Sequence, residues 1–370
     1  MSKKIKVLMS GGGTGGHIFP AVAIAQEIQK RFPDAEFLFM GANGKMEMEK
    51  VPQAGFKIEG LNIAGFDRGN LLANINLPFK VISSLLKARK IIKEFQPDFA
   101  VGTGGFASGP ALFIAARMGI PTFIQEQNSL PGKTNIFNAK KAKTVFTAYP
   151  NMGKFFHGTK TLFLGNPIRK NIITDIIDSD LAKEKLGLEK GKLTILSVGG
   201  SLGSRTLNNG WKENINKVLE KNYQLIWQTG KLDYKNILEE TKDIHSRNIQ
   251  IVEFIKNMEM AYSAADVIVS RAGAIAISEL AIAKKQVLLF PFTYAAKDHQ
   301  TKNAQKKKEK NAAKMVKDTE MKDKFWNTLS EICENEDLRT EMAQNLEFFA
   351  KPKATEEIVN EIFKNLNIKE

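Results

Sequence analysis

Short apolar runs alternate with longer segments of helical periodicity along the whole chain, and this alternation predicts an α/β fold with parallel sheets. In the first half the apolar runs predict strands at Ile5–Met9, Glu36–Met40, Phe99–Val101, Thr122–Gln125 and Thr144–Thr147. In the second half they predict a strand and glycine loop around Leu193–Gly200, then strands at Gln224–Gln228, Ile249–Phe254, Val267–Ser270 and Val287–Phe290.

One arrangement occurs twice in this pattern: an apolar strand, a glycine-rich loop and a helix. It appears first at Ser10–Pro20, SGGGTGGHIFP, and again around Leu193–Gly203. Two such openings predict two doubly wound domains, each with a ligand site where the strand order reverses. We expect the boundary near Leu164–Pro167 and a shared ligand between the domains.

The first glycine loop has the composition of a ligand cradle. Glycine lets the backbone approach a ligand closely, and loop amides beside a helix N-terminus favour an anion, usually a phosphate. His17 falls on the first helical turn, where it can move protons near neutral pH. The alternative is a tight strand–helix turn that binds no ligand. This alternative is less favoured, because the loop combines many small residues with a histidine.

The spacing of Gly11, Gly13 and Gly16 also matches the dinucleotide-binding fingerprint. That fingerprint requires an acidic residue at the end of the next strand, to hold a ribose. The next predicted strand ends at Met40–Gly41 without an acid. A dinucleotide role is therefore disfavoured.

Length and composition narrow the class of protein. The 370 residues suggest two domains, and 43% hydrophobic with 25% charged residues is ordinary for a globular protein. A single cysteine, Cys333, excludes a disulfide framework and suits a reducing compartment. The first apolar run is too short for a signal peptide, and none is long enough to span a bilayer. We expect a protein of the cytoplasm or of the cytoplasmic surface of a membrane.

The net charge of +14 suits nucleic acid, an anionic membrane or phosphate-bearing small molecules as partners. The chain has no recognisable nucleic-acid-binding motif, so we expect no nucleic-acid partner. The four histidines are scattered, and we expect no protein-bound metal and no cofactor. They are His17, His157, His245 and His299.

Two basic stretches have competing interpretations. Leu61–Phe95 is amphipathic and basic, which fits either an anionic membrane or an ordinary helix with a solvated basic face. The two interpretations are nearly even from the pattern alone. Lys302–Lys317 carries seven lysines and is better explained as a solvated surface face than as a nucleic-acid patch.

Five further clusters of glycine and polar residues follow predicted strands, at Gly102–Pro110, Ile124–Gly132, Gly165–Arg169, Arg271–Glu279 and Lys297–Ala304. Taken singly, each has an ordinary explanation: Glu126 as a surface acid, Arg169 as a salt-bridge partner, Glu279 as a helix-surface charge. Their joint placement after strands is the informative feature, because α/β folds bind ligands at the carboxyl ends of strands.

Seven motifs in order resemble the bacterial N-acetylglucosaminyltransferases of peptidoglycan synthesis, the MurG family. They are GGGTGGHIFPAVAIA, VGTGGFASGP, QEQNSLPGKTN, GNPIR, GGSLGSRTLN, RAGAIAISE and DHQTKNA, spanning roughly Lys4 to Ala304. The resemblance implies a GT-B fold, two doubly wound parallel-sheet domains facing across a cleft. It implies inverting transfer of N-acetylglucosamine from UDP-N-acetylglucosamine to undecaprenyl-diphosphate-N-acetylmuramyl-pentapeptide, in cell wall biogenesis at the cytoplasmic face of the cell membrane.

The same resemblance implies a domain for each substrate. Residues 1–164 would bind the acceptor and contact an anionic membrane peripherally, and residues 165–346 would bind the UDP-sugar. Residues 347–370 would form a helix that crosses back to the first domain.

Particular residues would then bind the substrates. Those lining the sugar-nucleotide and acceptor cleft would be Thr14, Gly15 and Gly16. Those bonding the donor sugar would be Asn128 and Gln300. Those at the diphosphate would be Arg169, Ser201 and the helix that begins Ala274, Ile275, Ala276, Ile277 and Ser278. Ile255 would meet the uracil through its backbone, and Glu279 would hold the ribose hydroxyls.

The chemistry itself needs a base and positive potential. A sugar hydroxyl is a poor nucleophile, so a general base should take its proton. His17 is our first candidate and Glu126 our second, and sequence does not separate binding from catalysis there. UDP leaves as an anion, which helix amides and Arg169 would stabilise, so no divalent metal is required. Asp178–Asp180 forms a D-x-D that we interpret as a loop or helix N-terminus.

Two other function classes stay open at this point. One is a GT-B enzyme that uses a UDP-sugar with a different lipid or small-molecule acceptor, and the other is a sugar-nucleotide-binding regulator without catalysis. The chain departs from the family pattern at Lys284–Gln286 and in the lysine-rich residues 305–316. The pentapeptide variant, the protein partners and the oligomeric state are not predicted.

Overall fold

Strands and helices alternate through the chain, as the apolar pattern predicts. The computed structural model describes residues 4–65, 75–200, 202–244, 246–292 and 298–369. The chain divides into two compact units, one formed by Met1–Ile168 with Lys351–Glu370 and the other by Arg169–Ala350. The division after Ile168 lies just beyond the expected boundary at Leu164–Pro167.

The first unit is built on a parallel sheet of seven strands in the order β3-β2-β1-β4-β5-β6-β7. The strands are β1 Lys6–Gly11, β2 Glu36–Ala42, β3 Lys57–Leu61, β4 Phe99–Gly104, β5 Thr122–Glu126, β6 Thr144–Thr147 and β7 Lys160–Phe163. The central strands are buried on both faces, because successive side chains point to opposite sides. Val7 and Met9 enter one core cluster and Leu8 the other.

Helices cover both faces of this sheet. Their bounds are α1 Gly15–Arg31, α2 Glu47–Gln53, α3 Leu77–Phe95, α4 Ser108–Arg117 and α5 Lys133–Ala139, followed by a short 3-10 helix at Met152–Phe155. α1 packs Ile18, Ile24 and Ile28 into the cluster that also contains Val7 and Met9. α3 packs Ala88 and Ile92 into the cluster of Leu8. No described helix is both long and apolar enough to cross a membrane.

The second unit repeats the design with six parallel strands in the order β10-β9-β8-β11-β12-β13. The strands are β8 Thr194–Val198, β9 Gln224–Gln228, β10 Ile249–Val252, β11 Val267–Arg271, β12 Gln286–Phe290 and β13 Lys314–Met315. The helices are α6 Asn171–Thr174, α7 Ser179–Lys185, α8 Arg205–Glu220, α9 Tyr234–Glu240, α10 Met258–Ala264, α11 Ala274–Ile282, α12 His299–Lys308, α13 Met321–Glu334 and α14 Glu336–Glu347, with a 3-10 helix at Asp318–Glu320. An aromatic cluster centred on Phe325 fills the core, with Trp211 at 5.0 Å and Phe290 at 5.5 Å between ring centroids.

The last helix, α15 Ala354–Leu366, belongs to the first unit, where it packs on α1. Its Ile358, Ile362 and Phe363 enter the cluster that holds α1 against the sheet. The ring of Phe363 meets Phe32 edge-on at 5.2 Å. The end of the chain is therefore part of the core of the first unit.

Each sheet reverses its strand order at a glycine loop. In the first unit the reversal lies between β1 and β4, so the loops after Gly11 and Gly104 are neighbours. In the second unit it lies between β8 and β11, which places the loop after Val198 beside the turn at Gly273. The predicted α/β class is thus confirmed, and both glycine loops occupy ligand-binding positions of the fold.

Two features depart from the pattern-based expectations. The apolar pattern does not indicate β3, β7 or β13, because β3 and β7 are sheet-edge strands with few buried residues and β13 has two residues. The interpretation of Lys302–Lys317 as a solvated face is wrong for Lys307, which is 3% exposed, although Lys308 and Lys310 are exposed. The Nζ of Lys307 lies 3.3 Å from the ring centroid of Phe349.

Candidate active site

The two glycine loops of the first unit touch through their backbones. The Gly12 N–H donates to the Gly104 carbonyl at 3.3 Å, and the β1–β4 register shifts at this point. Gly105 has φ +82°, and a Cβ there would lie 2.1 Å from the Gly12 oxygen. Only glycine fits this approach, so the two loops form one surface at the carboxyl ends of β1 and β4.

His17 lies on the first turn of α1, and its ring is held from the side of β4. Its Nδ1 is 2.9 Å from the Thr103 carbonyl oxygen and 3.0 Å from Oε1 of Gln127. Thr103 Oγ1 in turn donates to the His17 carbonyl at 2.6 Å. Because both neighbours of Nδ1 are acceptors, Nδ1 carries the hydrogen and Nε2 of the neutral ring is the acceptor.

Nε2 therefore has the electronic character of a base. Within the part of the chain that the structure describes, no group hydrogen-bonds to it, and the residue is only partly buried. Gly104, with φ +102°, lets the ring sit where it does, since a Cβ there would lie 3.0 Å from His17 Nδ1. The loop thus presents one proton acceptor of defined tautomer.

Glu126, the second candidate base, is 1% exposed and fully occupied by hydrogen bonds. Its Oε1 accepts from the backbone and side-chain nitrogens of Asn128 at 3.0 and 3.3 Å. Its Oε2 accepts from the Gly132 N–H at 3.0 Å and from Asn135 Nδ2 at 2.8 Å. A carboxylate has about four lone-pair positions, and all four are used. The geometry favours His17 as the base and gives Glu126 the task of holding the loop that carries Asn128.

Glu47 is a site residue that sequence reasoning missed. It is completely buried at the start of α2, and its two oxygens accept from the Gly13 N–H at 2.9 Å and the Ala42 N–H at 3.0 Å. An acid does therefore lie beside the glycine loop, but it comes from the helix after β2. Sequence offered one signal: the short polar stretch between Ala42 and Glu47 lets the helix turn its first residue back. The carboxylate occupies a backbone donor that a ligand phosphate could otherwise use.

The remaining predicted residues of the first loop are placed at the helix start. Thr14 is the N-cap of α1, exposed, and makes no side-chain capping bond. Gly15 and Gly16 are the first two helical residues, and both are partly exposed. A side chain at Gly15 would collide with the Phe19 ring at 2.9 Å. The backbone is thus accessible at the point where a helix N-terminus favours negative charge.

In the second unit the structure brings Arg169 and Glu279 together. The guanidinium donates from Nε to Oε1 and from Nη2 to Oε2, both at 3.0 Å. Tyr262 adds a hydroxyl donation to Oε2 at 3.3 Å. Burial raises the pKa of Glu279, and the adjacent Arg169 opposes that rise. The two residues, which we assigned to the diphosphate and the ribose separately, form one planar bidentate pair.

A second residue that the predictions missed, Gln228, ties two loops of this unit together. Its Nε2 donates to the Gly200 carbonyl at 3.0 Å, and its Oε1 accepts the Ile255 N–H at 3.0 Å. It ends β9 and is 2% exposed. A polar residue at the end of an apolar strand was the available signal. Gln228 fixes the backbone of Ile255, the residue predicted to meet uracil.

The remaining predicted donor residues lie on α11 and α12. Gly273 caps α11 without a side-chain bond, and Ser278 Oγ donates to the Ala274 carbonyl at 3.0 Å. The side chains of Ile275 and Ile277 are buried, whereas Ala276 is partly exposed, so a ligand could meet this helix start mainly through backbone. Gln300 Oε1 accepts the Phe292 N–H at 2.9 Å. Ser201 lies outside the described residues.

The D-x-D motif has a structural role here. Asp178 caps α7 by accepting the Leu181 N–H at 3.0 Å, and Asp180 accepts the Gly191 N–H at 2.9 Å. The predicted helix N-terminus is therefore confirmed. Among the described residues no group of three or more His, Cys, Asp or Glu side chains is arranged to hold a metal ion.

Two parallel-sheet units, each with a glycine loop at its switch point, define the GT-B class of glycosyltransferase. Residues 7–147 match the glycosyltransferase family 28 N-terminal domain, and residues 194–358 match the family 28 C-terminal domain. The chain belongs to the family of UDP-N-acetylglucosamine--N-acetylmuramyl-(pentapeptide) pyrophosphoryl-undecaprenol N-acetylglucosamine transferases, the MurG family.

Full-length relatives support this membership. The relative so named from Cytophaga hutchinsonii is 47% identical over 99% of this chain and 98% of its own length. That from Christiangramia forsetii is 46% identical over the whole of both chains. The crystal structure of MurG from Acinetobacter baumannii superposes with a TM-score of 0.78 and 31% identity, covering 98% of this chain and 100% of the other. The resemblance based on seven motifs is thereby confirmed.

Proposed function

We propose that this protein transfers N-acetylglucosamine from UDP-N-acetylglucosamine to the muramyl 4-hydroxyl of undecaprenyl-diphosphate-N-acetylmuramyl-pentapeptide, converting lipid I into lipid II. Family membership supports the substrates and the place in peptidoglycan synthesis. The observation that carries the mechanism is the fixed tautomer of His17, which presents Nε2 as a proton acceptor at the switch point of the first unit.

The reaction is a single displacement at the sugar's anomeric carbon. The acceptor hydroxyl oxygen forms the new bond to this carbon as the bond to the UDP phosphate oxygen breaks. The hydroxyl proton passes to Nε2 of His17, and UDP leaves with the bonding electrons. Attack from the face opposite the leaving group inverts the anomeric configuration. A positioned base of this kind typically contributes about 10²–10⁴-fold to the rate.

The second unit supplies the groups for the departing diphosphate and nucleoside. Glu279 holds the guanidinium of Arg169 through Nε and Nη2, and we assign its Nη1 edge to the diphosphate. The start of α11, from Ala274 to Ser278, adds amide dipoles. We assign Ser201, which lies outside the described residues, to the diphosphate from its sequence motif. We assign Glu279, whose oxygens contact Arg169 and Tyr262, to the ribose hydroxyls, and the Ile255 backbone to the uracil.

The donor sugar would be held by Asn128 and Gln300. Glu126 fixes the Asn128 backbone and amide, and Gln300 holds the loop at Phe292. Both amides can donate and accept, which suits sugar hydroxyls and an N-acetyl group. The first unit's loops at Thr14, Gly15 and Gly16 would receive the acceptor diphosphate at the start of α1.

An exposed face of α3 supports peripheral attachment to an anionic membrane on its cytoplasmic side. Large apolar side chains form one stripe with exposures of 56–72%, at Phe79, Ile82 and Leu86 of α3 and at Ile75 just before it. Basic residues flank it at Lys87, Arg89, Lys90 and Lys93, all exposed. A helix with an apolar stripe and a basic flank is suited to the interface of a charged bilayer.

A transfer assay tests the proposal. Labelled UDP-N-acetylglucosamine is incubated with the protein and a lipid-linked muramyl pentapeptide, and we expect labelled disaccharide product with release of UDP. Transfer only to a different acceptor would favour the other GT-B function, and donor binding without turnover would favour a regulator. Turnover that persists in chelator would agree with charge stabilisation by Arg169 and α11, and complete loss would contradict it.

A further inference from the structure

A buried amide lies against the ring of His17, and the reaction described above does not assign it a task. Gln127 is 1% exposed, and its Oε1 is 3.0 Å from His17 Nδ1. Its Nε2 donates to the Thr103 carbonyl at 2.7 Å and to the Gln125 carbonyl at 3.2 Å. The Thr103 carbonyl therefore accepts from both the imidazole and the amide.

These contacts fix the orientation of the amide. If its oxygen and nitrogen exchanged places, the oxygen would face two backbone carbonyls and the nitrogen would face the hydrogen on Nδ1. Both new contacts would be repulsive, so Oε1 must point at His17. The backbone of Gln127 is also held, because its carbonyl accepts from Asn166 Nδ2 at 3.3 Å. Asn166 in turn accepts from Gln125 Nε2 at 2.9 Å.

We infer that Gln127 is a positioning residue, which together with the Thr103 carbonyl holds His17 as the Nδ1–H tautomer and so keeps Nε2 as the proton acceptor. The inference rests on the proposed role of His17 as the base. A neutral histidine in water distributes its hydrogen over both nitrogens. Two acceptors beside Nδ1 favour a hydrogen on that atom. They therefore disfavour the Nε2–H tautomer, which has no lone pair on Nε2 to accept the hydroxyl proton.

No charged side chain is described as a hydrogen-bond partner of the His17 ring, so the neutral amide of Gln127 is the side chain that holds Nδ1. α1 packs against β1, β4, α2 and α15. β4 carries no titratable side chain, and Lys6 of β1 is at the far end of its strand, next to Glu36. From α2, Glu47 binds the amides of Gly13 and Ala42. Among the contacts of α15, Arg31 of α1 donates to the Asn360 side chain, and Glu361 pairs with Lys160 of β7. Glu126, at the end of β5, accepts only from N–H groups.

Gln127→Glu tests the inference through the pH dependence of turnover. The substitution keeps the size and the acceptor on Nδ1, but a second oxygen replaces the Nε2 that donates to the Thr103 and Gln125 carbonyls, so this part of the loop must rearrange. The negative charge that it adds beside the ring stabilises the imidazolium. The base then becomes neutral only at higher pH, so the acidic limb of the kcat profile should move up by about one pH unit or more. Activity on the alkaline plateau should stay within about tenfold, because the required tautomer is kept.

Two further variants separate positioning from general loosening of the loop. Gln127→Leu removes one of the two acceptors and should lower plateau kcat by about three- to tenfold with the donor KM unchanged. Asn166→Ala disturbs the same buried network without touching His17, so any loss of rate there should leave the acidic limb in place. A limb that moves equally in Asn166→Ala and Gln127→Glu would overturn the inference.

A measurement without turnover gives an independent test. In the full-length protein labelled with ¹⁵N-histidine, the His17 signal, assigned by its loss in His17→Gln, should show a protonated Nδ1 and an unprotonated Nε2 at alkaline pH. Gln127→Leu should shift it toward a mixture of tautomers. An Nε2–H ring in the wild type would refute the inference. An active His17→Ala variant would instead refute the proposed base.

Discussion

The two units bury their carboxylates in opposite ways. In the first unit, Glu47 and Glu126 accept only from backbone and amide N–H groups, and neither has a lysine or arginine partner among the described residues. In the second unit the buried Glu279 instead pairs with a cation, Arg169. Partly buried carboxylates pair with cations in both units, as Lys183–Asp266 and Arg271–Asp318 in the second and Arg31–Glu27 in the first.

This difference separates two kinds of chemistry. The carboxylate of Glu47 already occupies the Gly13 and Ala42 amides at the glycine loop of the first unit. It disfavours a second anion deep in the same loop. In the second unit the ion pair with Glu279 orients the guanidinium of Arg169, which we propose to meet the donor diphosphate. We therefore propose proton transfer at His17 in the first unit and binding of the donor diphosphate in the second, with the acceptor diphosphate at the exposed start of α1.

The largest expected effect comes from His17→Ala. Removing the base should lower kcat by about 10²–10⁴-fold. The Kd of UDP-N-acetylglucosamine should stay unchanged, because we propose that its anionic part binds the second unit. Steady-state kinetics and calorimetric titration of the donor measure the two quantities. The matched control is His157→Ala, at an exposed histidine, with wild-type kinetics. Equal losses of turnover and donor binding in His17→Ala would contradict the assignment of proton transfer to the first unit and donor binding to the second.

The sequence predicts some elements of each unit better than others. Central strands such as β1 and β8 were predictable because burial on both faces produces an unbroken apolar run. Edge strands such as β3 and β7 bury few side chains and leave no such run. The glycine loops were predictable because their backbone conformations need glycine, which is visible in the local sequence.

The site followed the same rule. His17 was a predictable candidate because it lies inside a local motif. Glu47 and Gln228 act on residues that are adjacent only after folding, and the pairing of Arg169 with Glu279 joins positions 110 residues apart. Such contacts depend on strand order, which a pattern of apolar residues does not specify.

Arg169→Ala is the next largest prediction and tests the second unit. Loss of the guanidinium should raise the donor KM by about 10–100-fold, as expected when a charge-assisted contact to a phosphate is removed. It also leaves Glu279 buried without a cation. Burial already raises the pKa of Glu279, so its folded-state pKa exceeds the unfolded one. The stability of the variant should therefore fall as pH rises through that range.

Donor kinetics and urea unfolding at pH 5 and pH 8 measure these effects, with an additional loss of about 1–2 kcal/mol expected at the higher pH. Lys183→Met is the control, since it breaks the comparable pair with Asp266 at 2.9 Å. It should destabilise the protein and leave the donor KM unchanged. A KM that rises in both variants would mean that ion pairing in this unit is only structural.

Lys307→Met addresses a buried lysine whose Nζ lies over the ring of Phe349. Burial lowers the pKa of Lys307 from 10.5 to about 7, with a smaller effect of Lys306. The unfolded chain therefore binds this proton more tightly than the folded chain. Its cost to stability is full below pH 7 and shrinks as pH rises toward 10.5.

Methionine has a similar length and packs well on Phe349, so the variant should be more stable by about 1–2 kcal/mol at pH 6 and gain less at pH 10. Urea unfolding at both pH values measures this gain. Lys308→Met, at an exposed position of the same helix, should change little. A gain that does not depend on pH would show that packing, and not the buried charge, limits stability.

The smallest expected effect concerns the apolar stripe of α3, with which we propose that the first unit contacts the membrane. Phe79 and Ile82 are 72% and 56% exposed, so replacing both with serine removes little from the fold but much of the apolar surface available to a bilayer. We expect about tenfold weaker sedimentation with phosphatidylglycerol vesicles. Leu232→Ser is the matched control, because Leu232 is 67% exposed in the second unit and should not contribute.

Replacing Lys90 and Lys93 with glutamine should weaken binding at low salt only, since screening removes their attraction as ionic strength rises. An equal loss of vesicle binding in Leu232→Ser would mean that the second unit also contacts the membrane, which would contradict a membrane surface on the first unit alone.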